Sequence, residues 1–199
     1  MSHSKLIEET IADHIVTTTK FQQKCSAVIE KMGEICVEAI RKGNKICFFG
    51  NGGSAADSQH LATEIVVRYT RNRKGLPALA FTVDTSTLTA CANDFGYDSV
   101  FARQVEALCV PGDIVVGIST SGTSGNVVEG LRFAKENNIT TFAFTGEKGA
   151  TCGEIADQLL AVPSTVTARV QECHLIAGHL ICDIIEIAFA DQESTISAC

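Results

Sequence analysis

The sequence predicts an α/β fold, a doubly wound five-stranded parallel sheet flanked by helices, on three observations. Five short apolar runs are spaced along the chain, helix-period segments separate them, and both ends carry long helical patterns. Runs that are apolar at every position read as strands covered on both faces, and strands alternating with helices pair in parallel through crossovers.

From Lys5 to Arg41, Leu6, Ile7, Ile11 and Ile15, then Val28, Ile29, Met32, Ile35, Cys36, Ala39 and Ile40, recur at helical spacing. This predicts one long helix or two in succession. After Gly43, KICFFG reads as the first strand; ALAFTV near Ala78, DIVVGIS from Asp113, TTFAFTG from Thr140 and QLLAVP from Gln158 read as the others. Helical patterns cover Ser54 to Tyr69, roughly Ser99 to Leu108, and Ser124 to Asn137. A long C-terminal helix from about Ala168 to Ala190 carries Val170, Leu175, Ile176, Leu180, Ile181, Ile184, Ile185 and Ala188. The three prolines, Pro77, Pro111 and Pro163, fall near strand boundaries, and no linker or repeat interrupts the chain. One domain over residues 1–199 is expected.

The formal charge of −7 argues against a nucleic-acid surface, which needs clustered Lys and Arg. The local basic run from Arg68 to Lys74 reads as a solvated loop after a helix, with Arg68 placed to reach an anion. No apolar stretch reaches the ~20 residues of a membrane helix, and MSHSKLIEET is polar rather than signal-like, so a cytoplasmic protein is expected. The nine cysteines are an odd number, scattered without a C-x-x-C pair. They read as free thiols in a reducing compartment.

Two strand-to-helix turns carry unusual chemistry. STSGTSGN, Ser119 to Asn126, offers short hydroxyl donors, glycines that leave the backbone open, and a following helix. A bare Ser/Gly loop would be a turn with Ser124 or Thr123 as N-cap, but the order strand, loop, helix is that of an anion site. There is no Walker lysine and no G-x-G-x-x-G, so a small phosphorylated ligand fits better than a nucleotide. GNGGS follows the first strand likewise. Gly52 and Gly53 let a ligand approach the backbone, and Asn51 and Ser54 offer it hydrogen bonds.

One helical turn separates His60 from Glu64, so the two share a face and could meet one metal or one substrate. The C-terminal helix adds Gln171, Glu172, His174 and His179 beside its apolar pattern. Buried, they would need partners; exposed, they are a solvated face. Gln171 and His179 are about 12 Å apart along a helix, so one centre served by both requires an extended Gln171 or two subunits.

GNGGSAADSQHLATEIVVRY, ANDFGYD, GDIVVGISTSGTSGNVVEGL and RVQECHLIAGHLICDIIE together resemble the sedoheptulose 7-phosphate isomerases (phosphoheptose isomerases) of the sugar isomerase (SIS) superfamily, over nearly the whole chain from about Lys45. The resemblance implies a five-stranded SIS domain, a homotetramer with active sites at subunit interfaces, and one zinc per subunit. It implies conversion of sedoheptulose 7-phosphate to D-glycero-D-manno-heptose 7-phosphate through an enediol, on the route to lipopolysaccharide heptose. Ser119, Thr120, Ser121 and Ser124 would then hold the phosphate with Ser54. Asn51, Gly52, Gly53, Asn93, Asp94, Arg68, Glu64 and Gln171 would line the sugar site. His60, Glu64, Gln171 and His179 match the zinc ligands, and Glu64 with His179 the acid/base pair. Where some relatives have an acidic residue before RVQE, this chain has Ala168, which removes one hydrogen bond from that set. His174 is read as an ordinary satisfied histidine.

Two rivals share the fold. A non-catalytic relative that associates with the replication initiator DnaA lacks the counterparts of Glu64 and His179, both retained here. Other sugar-phosphate isomerases or sensing domains share STSG but not HLATE with QECHLIAGH.

Overall fold

A computed structural model describes residues 2–190. The N-terminal pattern forms one unbroken helix, α1 (His3–Arg41), started by Ser2, whose hydroxyl accepts the Lys5 N–H at 3.3 Å. At 1.5 Å per residue it is roughly 58 Å long, longer than the sheet it packs on. Its second half buries Phe21, Cys25, Ile29, Met32, Cys36 and Ile40, while Leu6, Ile7, Ile11, Ile15 and Val16 on its first half are each more than 50% exposed.

The strands are β1 (Ile46–Gly50), β2 (Ala78–Ala80), β3 (Ile114–Ser119), β4 (Thr140–Thr145) and β5 (Gln158–Ala161). All pairs are parallel in the order β2-β1-β3-β4-β5. β2 is half the length its apolar run suggests. Along β1 the pleat sends Ile46 and Phe48 to one face, with α1, and Cys47 and Phe49 to the other, so one strand feeds two cores.

The expected helices appear as α2 (Gly53–Val66), α4 (Ala102–Leu108, after a single 3-10 turn at Tyr97–Ser99), α5 (Gly125–Glu136) and α7 (Thr167–Phe189). Two others, α3 (Thr85–Phe95) and α6 (Ala150–Ile155), carry no clear periodicity. α3 buries only Cys91 and rests on its cap, where Asp84 accepts from the Thr87 N–H and hydroxyl at 3.0 and 2.7 Å. Cysteines 25 to 182 are free thiols, mostly buried, as expected; Cys199 lies outside the described residues.

Arg169 and Glu172 of α7 are partnered rather than solvated. Arg169, 6% exposed, donates to the Thr10 carbonyl at 2.6 Å and to Glu172 at 2.5 Å, and the other Glu172 oxygen is 2.6 Å from His14 Nδ1. This ties α7 to α1. The basic run is likewise no solvated loop throughout: the Arg73 side chain is 1% exposed and lies 3.4 Å from the buried carboxylate of Glu186.

His174 is satisfied at one nitrogen only. It is fully buried, Nε2 donates to the Thr145 carbonyl at 3.0 Å, and Nδ1 has no partner. Burial pushes its pKa down to about 4 against the lift from the Thr145 bond, so the ring is neutral. An unfolded histidine titrates near ~6.5. Between these values the unfolded chain binds a proton that the folded one does not, and stability is lost as pH falls through that window. His174→Gln keeps a donor for Thr145 and is expected to remove about 2 kcal/mol of the difference in unfolding free energy between pH 7 and pH 5. Denaturant titrations at fixed protein concentration check this; an unchanged difference would assign the pH dependence elsewhere.

Candidate active site

In a parallel sheet the crevice opens at the carboxyl ends of the strands where the strand order reverses, here between β1 and β3. The two loops singled out from the sequence leave those two strands. Gly50 pairs with Ile118 at the last step, so GNGGS and STSGTSGN start side by side.

Gly52 holds φ +57, ψ −119, where a Cβ would be strained, and starts α2. Asn51 exchanges two hydrogen bonds with Asn126, at 2.8 and 2.9 Å, and its carbonyl oxygen also accepts from the Tyr97 hydroxyl at 3.0 Å. This amide pair links the two loops. Asn126, 2% exposed, and Tyr97 are site residues that the sequence reading misses; the signal available for each is its place directly after a glycine, in STSGTSGN and ANDFGYD.

Ser124 occupies the N-cap of α5 but makes no capping bond. Its hydroxyl is 2.9 Å from that of Ser119, which is 3.3 Å from Ser121. The Thr123 N–H donates to Ser121 at 3.2 Å. The first α5 amides therefore lack a side-chain acceptor, and a knot of hydroxyls stands before them, an arrangement suited to an anion. Ser54, 4% exposed, closes the floor where it packs on Gly50. Thr120 and Ser121 also border a cleft of about 250 Å³ with Lys148. A roomier cavity of about 610 Å³ lies at the opposite end of the sheet, beside Ile114, Thr140 and Ile184, away from these loops.

Along α2, Gly53, Asp57, His60 and Glu64 succeed one another at spacings of four, three and four, so they share the face turned to α7. The helices touch closely there. A Cβ on Gly178 would lie 2.4 Å from Leu61 Cδ2, and one on Gly53 would lie 2.5 Å from Gln171 Nε2. Consequently His60 and His179 meet, Nε2 to Nε2, at 2.7 Å, and Glu64 Oε1 is 3.4 Å from His60 Nε2. The three ligand atoms all lie within 4.8 Å of one another. Tetrahedral zinc with bonds of ~2.0–2.1 Å needs ligand atoms about 3.4 Å apart. Two imidazoles and one carboxylate at these separations could hold such an ion and leave a position open.

The His60 side chain is 44% exposed and that of Glu64 18%, so the cluster faces outward. Burial, then the neighbouring His60, lowers the His179 pKa against the pull of Glu64, which favours its neutral ring. Tyr69 stacks on that ring with centroids 5.2 Å apart and planes at 24°. Asp57 is a further acid on this face. Burial raises its pKa against the pull of His60, and Oδ2 is buried without a partner. Its only signal in the sequence is its spacing, four residues after Gly53 and three before His60.

Not every expected residue joins the cluster. Gln171 lies at the Gly53 end, one turn into α7 and about 12 Å along it from His179. Arg68 is exposed beyond α2 and bonds within its own loop to Asn72 at 2.8 Å. Asn93 and Asp94 are exposed at the end of α3 and bond each other at 2.8 Å. Ala168 is exposed in the first turn of α7. No described helix is long and apolar enough to cross a membrane.

The family model described as "SIS domain" matches residues 9–146. A phosphoheptose isomerase of Paramagnetospirillum magneticum is 48% identical over 190 residues, 96% of this chain and 99% of its own. Among solved structures, phosphoheptose isomerases of Neisseria gonorrhoeae and Francisella tularensis superpose with TM-scores of 0.88 and 0.91 at 37% and 31% identity. Each match covers 94% of this chain and 100% of the other. The shared sheet, the two loops at its switch point and these matches lead to one conclusion: the chain belongs to the SIS domain family and, within it, to the phosphoheptose isomerases.

Proposed function

We propose that the enzyme converts sedoheptulose 7-phosphate to D-glycero-D-manno-heptose 7-phosphate, with zinc held by His60, Glu64 and His179 and with Gln171 as a fourth ligand, which, about 12 Å along α7 from His179, would have to reach in extended or come from a second subunit. The observation that carries the reading is the meeting of His60, Glu64 and His179, two of them on the helix that leaves the GNGGS loop. A proton leaves C1 of the ketose as its C2 oxygen gains one, giving the enediol; the C1 hydroxyl then gives up its proton while C2 receives one on carbon. Glu64, a carboxylate, and His179, a neutral imidazole, are the groups able to take and return that proton. Zinc, when bound, polarises the carbonyl and hydroxyl oxygens.

Ser119, Thr120, Ser121, Ser124 and Ser54 hold the phosphate in this reading, and Asn51 and Asp94 the sugar hydroxyls. Retention of Glu64 and His179 favours catalysis over the DnaA-associating alternative. Turnover of the ketose, followed by NMR, should be lost on chelation and recovered with zinc; a folded protein inactive under every metal condition would sink the proposal. Ser121→Ala is expected to raise KM about 5- to 30-fold through loss of one charge-assisted hydrogen bond worth about 1–2 kcal/mol, with kcat little changed. An unaltered KM in steady-state kinetics would take Ser121 out of the cradle.

Assembly as a homotetramer is part of the same proposal. The stripe Ile7, Ile11 and Ile15 supports it, because three exposed apolar side chains at i, i+4 and i+8 share one face of α1, and such a face is normally covered. Sedimentation should return about four times the chain mass of 21.2 kDa; the mass of a single chain would leave the stripe uncovered and the assembly refuted.

A further inference from the structure

Glu186 stands two turns beyond His179 on α7, fully buried, and takes no part in the proposed chemistry. Three consecutive backbone N–H groups converge on its carboxylate: Tyr69 at 2.8 Å, Thr70 at 2.7 Å and Arg71 at 2.7 Å. The Thr70 hydroxyl adds a fourth bond at 3.0 Å, and Arg73 Nε lies 3.4 Å away. Successive N–H groups aimed at one anion fix a loop's backbone in a single conformation, and a charged acceptor strengthens each bond.

Both ends of this knot reach the cluster. Tyr69 is the residue whose ring stacks on His179. Arg73 donates through Nη2 to the backbone carbonyl of Glu64 at 2.7 Å, at the end of α2 that carries the carboxylate. Without the knot, residues 69–73 would be a solvent-facing connection, since Thr70, Arg71 and Asn72 are exposed.

We propose that Glu186 is a positioning residue for the reaction: it gathers residues 69–71 and Arg73 onto one buried carboxylate, and thereby clamps Tyr69 against the His179 imidazole and braces α2 at Glu64. The proposal rests on the isomerase reading for its kinetic consequence but not for its structural one. Partners that orient catalytic or metal-binding side chains typically change activity by about 10- to 100-fold when removed.

The chain has no tryptophan and two tyrosines, so Tyr97→Phe leaves Tyr69 as the sole strong emitter. In that background, Glu186→Gln is expected to increase acrylamide quenching of Tyr69 emission as the ring leaves His179. In the otherwise native chain, Glu186→Gln should lower kcat about 10- to 100-fold with KM unchanged within about twofold, because the phosphate loops are held by other residues. Tyr69→Ala should fall by a similar factor, Tyr69→Phe should stay near wild type, and the double variant Glu186→Gln/Tyr69→Ala should be no slower than the worse single.

Wild-type kcat with unchanged quenching in Glu186→Gln would overturn the proposal, as would additive losses in the double variant. If Glu186→Gln does not fold, Tyr69→Ala decides: wild-type kcat overturns the clamp, and a tenfold or larger loss that Tyr69→Phe does not share supports it. If the wild-type protein turns over no heptose phosphate, the isomerase reading fails on its own, and the quenching comparison alone decides whether Glu186 positions Tyr69.

Discussion

Glu64→Gln is expected to lower kcat by about 10³-fold or more while leaving a folded protein that still binds the sugar phosphate. The substitution keeps the side chain's volume and one ligand oxygen but removes both the charge and the capacity to take a proton. General acid–base catalysis contributes about 10²–10⁴-fold, and in the proposed centre this carboxylate would hold the metal as well, so the expected loss lies toward the upper end. The polar neighbours of the Glu64 carboxylate among the described residues are His60 at 3.4 Å and His179, whose ligand nitrogen lies within 4.8 Å, and a glutamine fits beside both. The melting temperature of the metal-free protein should therefore stay close to wild type. NMR time courses with saturating substrate, beside a thermal melt, check both halves. A variant that turns over at the native rate would remove Glu64 from the mechanism.

Gly178→Val should have the largest effect on the fold and on the site together. The Cβ would arrive 2.4–2.6 Å from the two Leu61 methyls, and Leu61 is 1% exposed. Overpacking of this kind costs about 1–3 kcal/mol; the gain of valine over glycine in helix propensity is only a few tenths. Relief requires α2 to move off α7, and the next residue along is His179. The His60–His179 contact of 2.7 Å would open with it. Lower unfolding free energy and weaker zinc binding by calorimetry are expected in the same variant. Native stability would show that Leu61 finds another rotamer.

The long patterns were legible because burial and periodicity agree in them: the second half of α1, α2, α5 and α7 each bury one stripe. α3 was not, since TSTLTACANDF buries one cysteine and depends on a local cap rather than on an apolar face. Of the candidate site, spacing placed His60 with Glu64, and the strand-loop-helix order placed the serines. What spacing cannot carry is tertiary pairing: the reciprocal amides of Asn51 and Asn126, the Tyr69 ring over His179, and Glu186 reaching back to Arg73 join residues 75 to 113 positions apart. The basic run illustrates the difference. Its composition suggests solvent, yet a glutamate more than a hundred residues away draws Arg73 inside.

The meeting of His60 with His179, 119 residues apart in the chain, also has a consequence for the order of events in folding. Loop-closure entropy opposes so distant a contact until the strands between have paired. The centre is thus among the last parts of the molecule to exist, and an ion that requires it meets only the finished fold. Such an ion does not guide folding but holds its product. By mass action, at a free concentration one hundred times its dissociation constant, it would add about 2.7 kcal/mol to the native state, and with the proposed centre occupied the stability of this enzyme would become a reading of the metal available around it.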